Sequence, residues 1–430
     1  MSDSCLFVRV VPGLDLPMST STPQTPPPAS DTTGAAAPAA RRRGGWPAVA
    51  AVAAGTFTVV TSEMLPVGLL TPIGGSLAVS EGTAGLTLTV TGLVAAVTAP
   101  FAPALIGRTD RRTALVLLTA LLAGADLLSA WAPTFAVLVA ARVLVGIGMG
   151  GVWALAAGLA PRLVPARSVG AATSLVFSGI AVASVLGVPL GTYIGALAGW
   201  REAFAVLGLL ALLVAAALAL LLPPLPADAP VRARGALRLA ADPRVATGLA
   251  AAVLLVCGHF AAYTYVRPSL EASAGIGAAM IGTLLLVYGI AGVAGNFLSG
   301  LGAARAVRPT LAVLARGIAA AVLLVPWAGV TVLGAGALMV LWGLAYGGVS
   351  VASQTWMMKA APENTETVTA LFVGVFNASI ALGALVGGWV VDGFGGASTM
   401  VLGGVLALGA LAVVLVGRFP DGRAAAAQSG

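Results

Sequence analysis

The chain has 430 residues, 59% of them hydrophobic and only 9% charged. A soluble domain carries roughly 25% charged residues, so this composition excludes a water-soluble globule and reads as an integral membrane protein. The net charge of +7 would suit a nucleic-acid binder, but the arginines fall in short loops between apolar runs, and two cysteines, Cys5 and Cys257, exclude a disulfide framework.

Residues 1–45 are rich in Pro, Ser, Thr and Ala and end in Arg41, Arg42 and Arg43, which reads as a disordered cytoplasmic tail rather than a signal peptide. From Trp46 onward, apolar runs of about 20 residues recur, the length that spans ~30 Å of hydrocarbon. They lie near 46–70, 84–106, 113–130, 135–160, 169–194, 203–222, 246–266, 277–300, 309–327, 332–358, 367–391 and 398–417, so an all-α fold of twelve transmembrane helices is expected. The longest interruption, 223–245, carries PPLPADAP and four arginines. It divides the chain into two six-helix halves, 46–222 and 246–417, joined by a cytoplasmic linker and followed by a tail at 418–430. Alternate loops hold nearly all the basic residues, among them Arg108, Arg111, Arg112, Arg162, Arg167, Arg305, Arg308 and Lys359, and the opposite loops hold only Arg201 and Arg267. That asymmetry places both termini in the cytoplasm.

The first apolar run contains FTVVTSEMLPVGLLTP, with one carboxylate, Glu63, at membrane depth. A charge there costs at least ~2.5 kcal/mol, so a chain that keeps one faces it into a cavity, pairs it or protonates it. Glu63 is therefore a candidate proton-coupling site; the alternative is a carboxylate that only locks helix packing. Arg142 lies roughly 10 Å from the outer end of its helix at ~1.5 Å per residue, and so does Glu63. Their shared depth predicts a Glu63–Arg142 pair able to hold a proton site between two states. Asp126 is expected near the outer interface, water-accessible or structural. His259, the only histidine, either carries protons or makes a hydrogen-bonded contact. With Tyr263, Tyr346, Gln354, Trp356 and Asn377 it offers donors, acceptors and aromatic faces for a planar polar ligand, in a cavity between the halves facing Glu63.

Small residues recur at steps of four, at Gly179, Ala183, Gly187, Gly191 and Gly195, and again at Gly146, Gly150, Ala154 and Gly158. Such ridges let helices approach closely, and Pro189 adds an expected bend. Three motifs then align with a known family. LIGRTDRRTAL resembles the loop signature between helices two and three of the major facilitator superfamily, with Arg108, Arg111 and Arg112 in the basic positions. Here Gly107 takes the usual aspartate position and Asp110 sits where a glycine is commoner. ARVLVGIGMGG, with Arg142, Gly146 and Gly148, is similar to the buried-arginine signature of the twelve-helix drug:proton antiporter branch. GIAVASVLGVPLGTYIG matches the antiporter signature at Gly187, Pro189 and Gly191, with Thr192 replacing its last glycine. Within the branch, EMLPVGLLTP, TDRR, YTYVRP and VLWGLAYG resemble purine-ribonucleoside-exporting members; sugar- and chloramphenicol-exporting members share the likeness in helices one, four and five.

The resemblance implies a secondary active transporter, a proton-coupled exporter of small polar or aromatic molecules that works by alternating access. It implies a monomer in the bacterial inner membrane, with a small-molecule substrate, protons and lipid as partners and no cofactor. Residue chemistry excludes other classes on its own. No GxxxxGK[ST] loop, metal cluster or nucleophile beside a base is present, which removes an ATP-driven pump and a membrane-embedded enzyme. A sensor would append a soluble output domain, and neither tail nor linker is long and apolar enough to fold.

Overall fold

The computed structural model describes residues 45–156, 158–226, 236–274 and 276–417. Every regular element among them is helical, as required where no water is present to satisfy backbone N–H and C=O groups. Eleven helices are long and apolar enough to cross a membrane: α1 (Trp46–Leu77), α2 (Glu81–Ile106), α3 (Arg111–Trp131), α4 (Phe135–Ala156), α5 (Ala166–Leu197), α6 (Trp200–Leu221), α7 (Pro243–Tyr263), α8 (Ala278–Ala328), α9 (Val332–Ala360), α10 (Thr365–Phe394) and α11 (Gly396–Val416). The expected tails, with Arg41, Arg42 and Arg43, fall on residues outside those described, as does the middle of the expected linker.

The count of eleven rather than twelve arises in α8, where the eighth and ninth expected spans run on as one element of 51 residues. At ~1.5 Å per residue it would measure about 76 Å, more than twice the hydrocarbon thickness. Its backbone leaves the helical region at Ala306 (φ −150°, ψ 90°), between Arg305 and Arg308, and this break divides it into two arms. The expected interruption before α9 is present: α8 ends at Ala328 and the Thr331 hydroxyl caps α9 by accepting from the Gly334 amide at 3.1 Å.

Two helices are irregular where proline removes a backbone donor. In α1 the helix tightens to a 3₁₀ segment at Leu65–Leu69, around Pro66 and Gly68, and resumes at Leu70–Leu77. In α5 a wide π turn at Ala183–Gly187 precedes Pro189, which has no N–H to give the Val185 carbonyl. The bend expected of α5 thus takes the form of one loosened turn.

The two glycine ridges serve different partners. A Cβ on Gly179, Gly187, Gly191 or Gly195 would run into Thr56, Thr61, Leu65 or Leu69 respectively, so the α5 ridge is the seat of α1. On α4, Gly146 and Gly150 lie under the Thr91 and Ala95 carbonyls of α2, whereas Gly158 sits in the turn beyond the helix. Asp110 caps α3 by accepting from the Arg112 and Thr113 amides at 2.9 and 3.2 Å. Its second oxygen accepts from the Leu225 amide at 2.6 Å, the Arg111 amide donates to the Leu225 carbonyl at 2.8 Å, and the Arg112 guanidinium donates to Ala219. The loop motif therefore ties its own half to the chain leaving α6; Arg108 is exposed.

The halves α1–α6 and α7–α11 meet along α2 with α10 and along α5 with α8. The hydrogen bonds described between them all lie at the arginine-poor end. There the Asp392 carboxylate accepts from the Ser80 hydroxyl (2.6 Å) and the Gly82 amide (2.9 Å), Glu271 accepts from the Thr71 hydroxyl (2.7 Å), Tyr193 bonds Thr283 (2.5 Å), and Arg267 donates to the Gly68 carbonyl.

Close packing in the α5 ridge makes an unequal response to added volume an expected outcome. Gly179→Val drives side-chain atoms into the Ala53 carbonyl and Thr56 and lowers stability by about 1–3 kcal/mol. Gly124→Ala, which meets nothing within 4 Å inside α3, raises the thermal unfolding midpoint in detergent slightly, by the helix preference of alanine over glycine.

Candidate functional site

The polar groups at membrane depth form two clusters, one inside the first half and one inside the second, with Glu63 between them. The first is built on a vacancy in α1. In an α-helix the Ser62 carbonyl would accept from residue 66, but residue 66 is proline, and the Leu65 amide is already committed to Thr61. The Arg142 guanidinium fills the place, donating to the Ser62 carbonyl at 3.1 Å. It also donates to the Asp126 carboxylate at 2.9 Å and the Ser129 hydroxyl at 2.7 Å, and lies 4.8 Å from the centre of the Phe204 ring. The Ser62 hydroxyl donates to the same Asp126 oxygen at 2.7 Å. Asp126 and Arg142 are both 0% exposed.

This geometry corrects two expectations. The partner of Arg142 is Asp126 rather than Glu63, and Asp126 is fully buried rather than water-accessible. Shared depth along the helices was not enough to pair Glu63 with Arg142; the direction around the helix decided, because Ser62 faces α3 and α4 and its neighbour Glu63, ~100° further round, does not. Glu63 is buried, with Oε1 lacking any hydrogen-bond partner. Met64, the next residue along α1, packs with Tyr346 against the apolar core that Val67 shares with Tyr263 and Tyr288 of the second half.

The second cluster is aromatic. His259 on α7 stacks on Tyr346 of α9 at 9° and on Tyr263 at 4.9 Å between ring centres. Tyr288 of α8 stacks on Tyr263, also at 4.9 Å, and Trp342 closes the group edge-on. The Trp342 indole donates to His259 Nδ1 at 3.1 Å, so the neutral ring carries its proton on Nε2. His259 is therefore a hydrogen-bonded contact, the second of the two roles open to it. The Tyr263, Tyr288 and Tyr346 hydroxyls have no described hydrogen-bond partner, which leaves three donors on aromatic faces beside a carboxylate.

Three expected contacts lie outside this group. Trp356 is fully buried and donates to the Arg244 carbonyl at 3.0 Å, against Gly248, which makes it a packing residue at the arginine-rich end of α7. Gln354 is half-buried, about 12 Å along α9 from Tyr346 at ~1.5 Å per residue. Asn377 is half-buried on α10, where its amide donates to its own helix at Val373 (2.9 Å) and its side-chain oxygen is unpartnered. Sequence reading passed over Tyr288 and Trp342. Trp342 was detectable, since it precedes Tyr346 by one helical turn just as His259 precedes Tyr263, so each pair shares a helix face.

The buried ion pair sets a measurable stability pattern. Arg142→Ala leaves Asp126 charged and the Ser62 carbonyl bare, and costs about 3–5 kcal/mol. Combining Arg142→Met with Asp126→Leu removes both charges and recovers most of that loss in a detergent unfolding assay. A double variant no more stable than Arg142→Ala would show that the pair does not account for the cost.

Comparison with known proteins places this geometry in a family. The family model described as Major Facilitator Superfamily matches residues 52–383. The purine ribonucleoside efflux pump NepI of Salmonella paratyphi C (strain RKS4594) is 36% identical over 371 residues, 86% of this chain and 93% of that protein. The NepI of Salmonella typhimurium has the same identity and coverage. Among solved structures, the nucleoside transporter NupG superposes with a TM-score of 0.72 at 13% identity, covering 85% of this chain and 98% of that one. A bacterial homologue of the human lysosomal transporter Spinster, inward-facing and unoccupied, superposes with a TM-score of 0.71 at 18% identity, covering 86% and 96%. The chain thus belongs to the Major Facilitator Superfamily and is a multi-pass membrane transporter rather than an enzyme.

Proposed function

We propose that the chain is a proton-coupled exporter of purine nucleosides or similar planar polar molecules, in which Glu63 exchanges a proton for substrate. The observation that carries this reading is the placement of Glu63: a buried carboxylate with an unpartnered oxygen, on the stretch of α1 whose Met64 and Val67 pack in the same apolar core as the tyrosines of the aromatic group. A carboxylate that served only packing would spend its oxygens on neighbouring helices, as Asp126 spends Oδ1. Stacked rings give a planar base an apolar face, and the three phenols supply donors for its edge. The likeness to the nucleoside efflux pump supports the same substrate class and the outward direction.

The remaining parts of the reading follow the charge pattern. Arginine-rich loops belong on the cytoplasmic side, so both termini lie there and the hydrogen-bonded seal between the halves faces outward. With that seal formed on the outer side among the described residues, we read the protein as an inward-facing state of an alternating-access cycle. We assign it to the bacterial inner membrane as a monomer. Arg142 and Asp126 hold α1 so that Glu63 faces the second half; Asp126 Oδ2, which has no partner, is a second proton-accepting position.

Two variants separate the roles in proteoliposomes loaded with a pH-sensitive dye. Glu63→Gln keeps the side-chain shape but cannot change charge, and abolishes the inosine-induced proton signal. Tyr346→Ala weakens inosine binding about tenfold, as expected from losing one base-stacking ring, yet leaves proton flux in place. An undiminished proton signal from Glu63→Gln would refute the coupling role. Inosine transport equal to wild type in both variants would refute the site.

A further inference from the structure

A second proline vacancy follows the first in α1, and the residue that fills it comes from the other half of the molecule. The Gly68 carbonyl would accept from residue 72 in a regular helix, and residue 72 is proline. Arg267, one of only two arginines on the arginine-poor side, donates to that carbonyl. Its guanidinium is aimed by Glu271 at 2.9 Å, and the other Glu271 oxygen holds Thr71 at 2.7 Å. Arg267 is 6% exposed. Gly68 itself has no room to move aside, because a Cβ there would strike the Thr192 side chain of α5. The two prolines therefore leave two bare carbonyls on either side of Glu63, each closed by an arginine, one from the same half and one from the opposite half.

We propose that Arg267 is the releasable clasp of the gate at the arginine-poor end, holding α1 through the carbonyl that Pro72 leaves free. The proposal rests on the alternating-access reading above. Arg142 stays with α1 when the halves rock, because both belong to the first half. Arg267 must leave. Once it does, the Gly68 carbonyl lacks the amide that residue 72 would give in a regular helix, and a dry, partly separated seam would strand that carbonyl, while Arg267 keeps Glu271 but loses the acceptor of its second nitrogen. Partial opening is thereby disfavoured: the seam is either closed on Arg267 or open to water. Arg267 acts through the backbone beyond Glu63 and is a positioning residue, since it does not touch the carboxylate.

The test uses spin labels on Gly75→Cys and Gly277→Cys, two positions with nothing within 4 Å of an added Cβ, in the full chain lacking Cys5 and Cys257. Electron–electron distance distributions are recorded with and without inosine, in acidic and alkaline buffer. Pro72→Ala returns an amide to Gly68, and Arg267→Gln removes the guanidinium. Each variant raises the ratio of outward-open to inward-open populations about tenfold, the size expected for losing one charge-assisted hydrogen bond. Because both break the same contact, adding Pro72→Ala to Arg267→Gln changes the ratio by less than about twofold. Pro72→Ala removes no side chain of the clasp, so it carries the test if Arg267→Gln fails to fold. Distances in Pro72→Ala identical to wild type, or fully additive effects, overturn the clasp while alternating access stands. A wild-type distance that never responds to inosine or pH overturns alternating access, and the clasp with it.

Discussion

The structure depends on a shortage of backbone donors in α1. At membrane depth an unpaired carbonyl has no water to turn to, so each of the two prolines inside this helix, Pro66 and Pro72, obliges some other part of the molecule to supply a donor. Pro66 recruits Arg142 to Ser62, and Arg142, once buried, requires Asp126 and Ser129. One missing amide thus fixes the relative positions of α1, α3 and α4, and Phe204 of α6 covers the guanidinium. Glu63 gains its orientation from this arrangement without touching it.

That dependence separates the two carboxylates in kind. Asp126 accepts two hydrogen bonds within the first half, whereas Glu63 has none described and faces the second half. A carboxylate oxygen held by its own scaffold, as Asp126 Oδ1 is, contributes to architecture; a carboxylate with no bond described is available for exchange with a ligand or a proton. The aromatic group opposite follows a similar division. Trp342 fixes His259 through Nδ1, so the imidazole is held in place as a stacking surface while the tyrosine hydroxyls stay uncommitted.

Most of the architecture was legible in the sequence because it rests on one-dimensional quantities: length of apolar run, spacing of small residues, and the sides on which arginines fall. The glycine ridge of α5 was readable from its step of four, although its partner, α1, was not named by any pattern. The site was only partly legible. Depth could be counted along each helix, and it paired Glu63 with Arg142 while setting Asp126 nearer the outer interface. The pairing depended on which way Ser62 faces, an angle set by contacts from three other helices. Trp356 and Gln354 failed for the converse reason: they lie on the same helix as Tyr346 but too far along it. The interruption between the eighth and ninth expected spans was legible from Arg305 and Arg308, and the backbone leaves the helical region there, at Ala306.

The spacing between Pro66 and Pro72 has a consequence for how this segment can change over generations. Each residue turns a helix by about 100°, so inserting or deleting one residue between the two prolines would swing the second bare carbonyl away from the helix that carries Arg267. A frame-preserving insertion here would strand a carbonyl even if every side chain nearby were retained. Volume-conserving substitutions at the buried Val67 or Leu69 cost less than about 1.5 kcal/mol after repacking; a change in the number of residues cannot be absorbed that way. The length of this short segment is accordingly under stricter constraint than its composition.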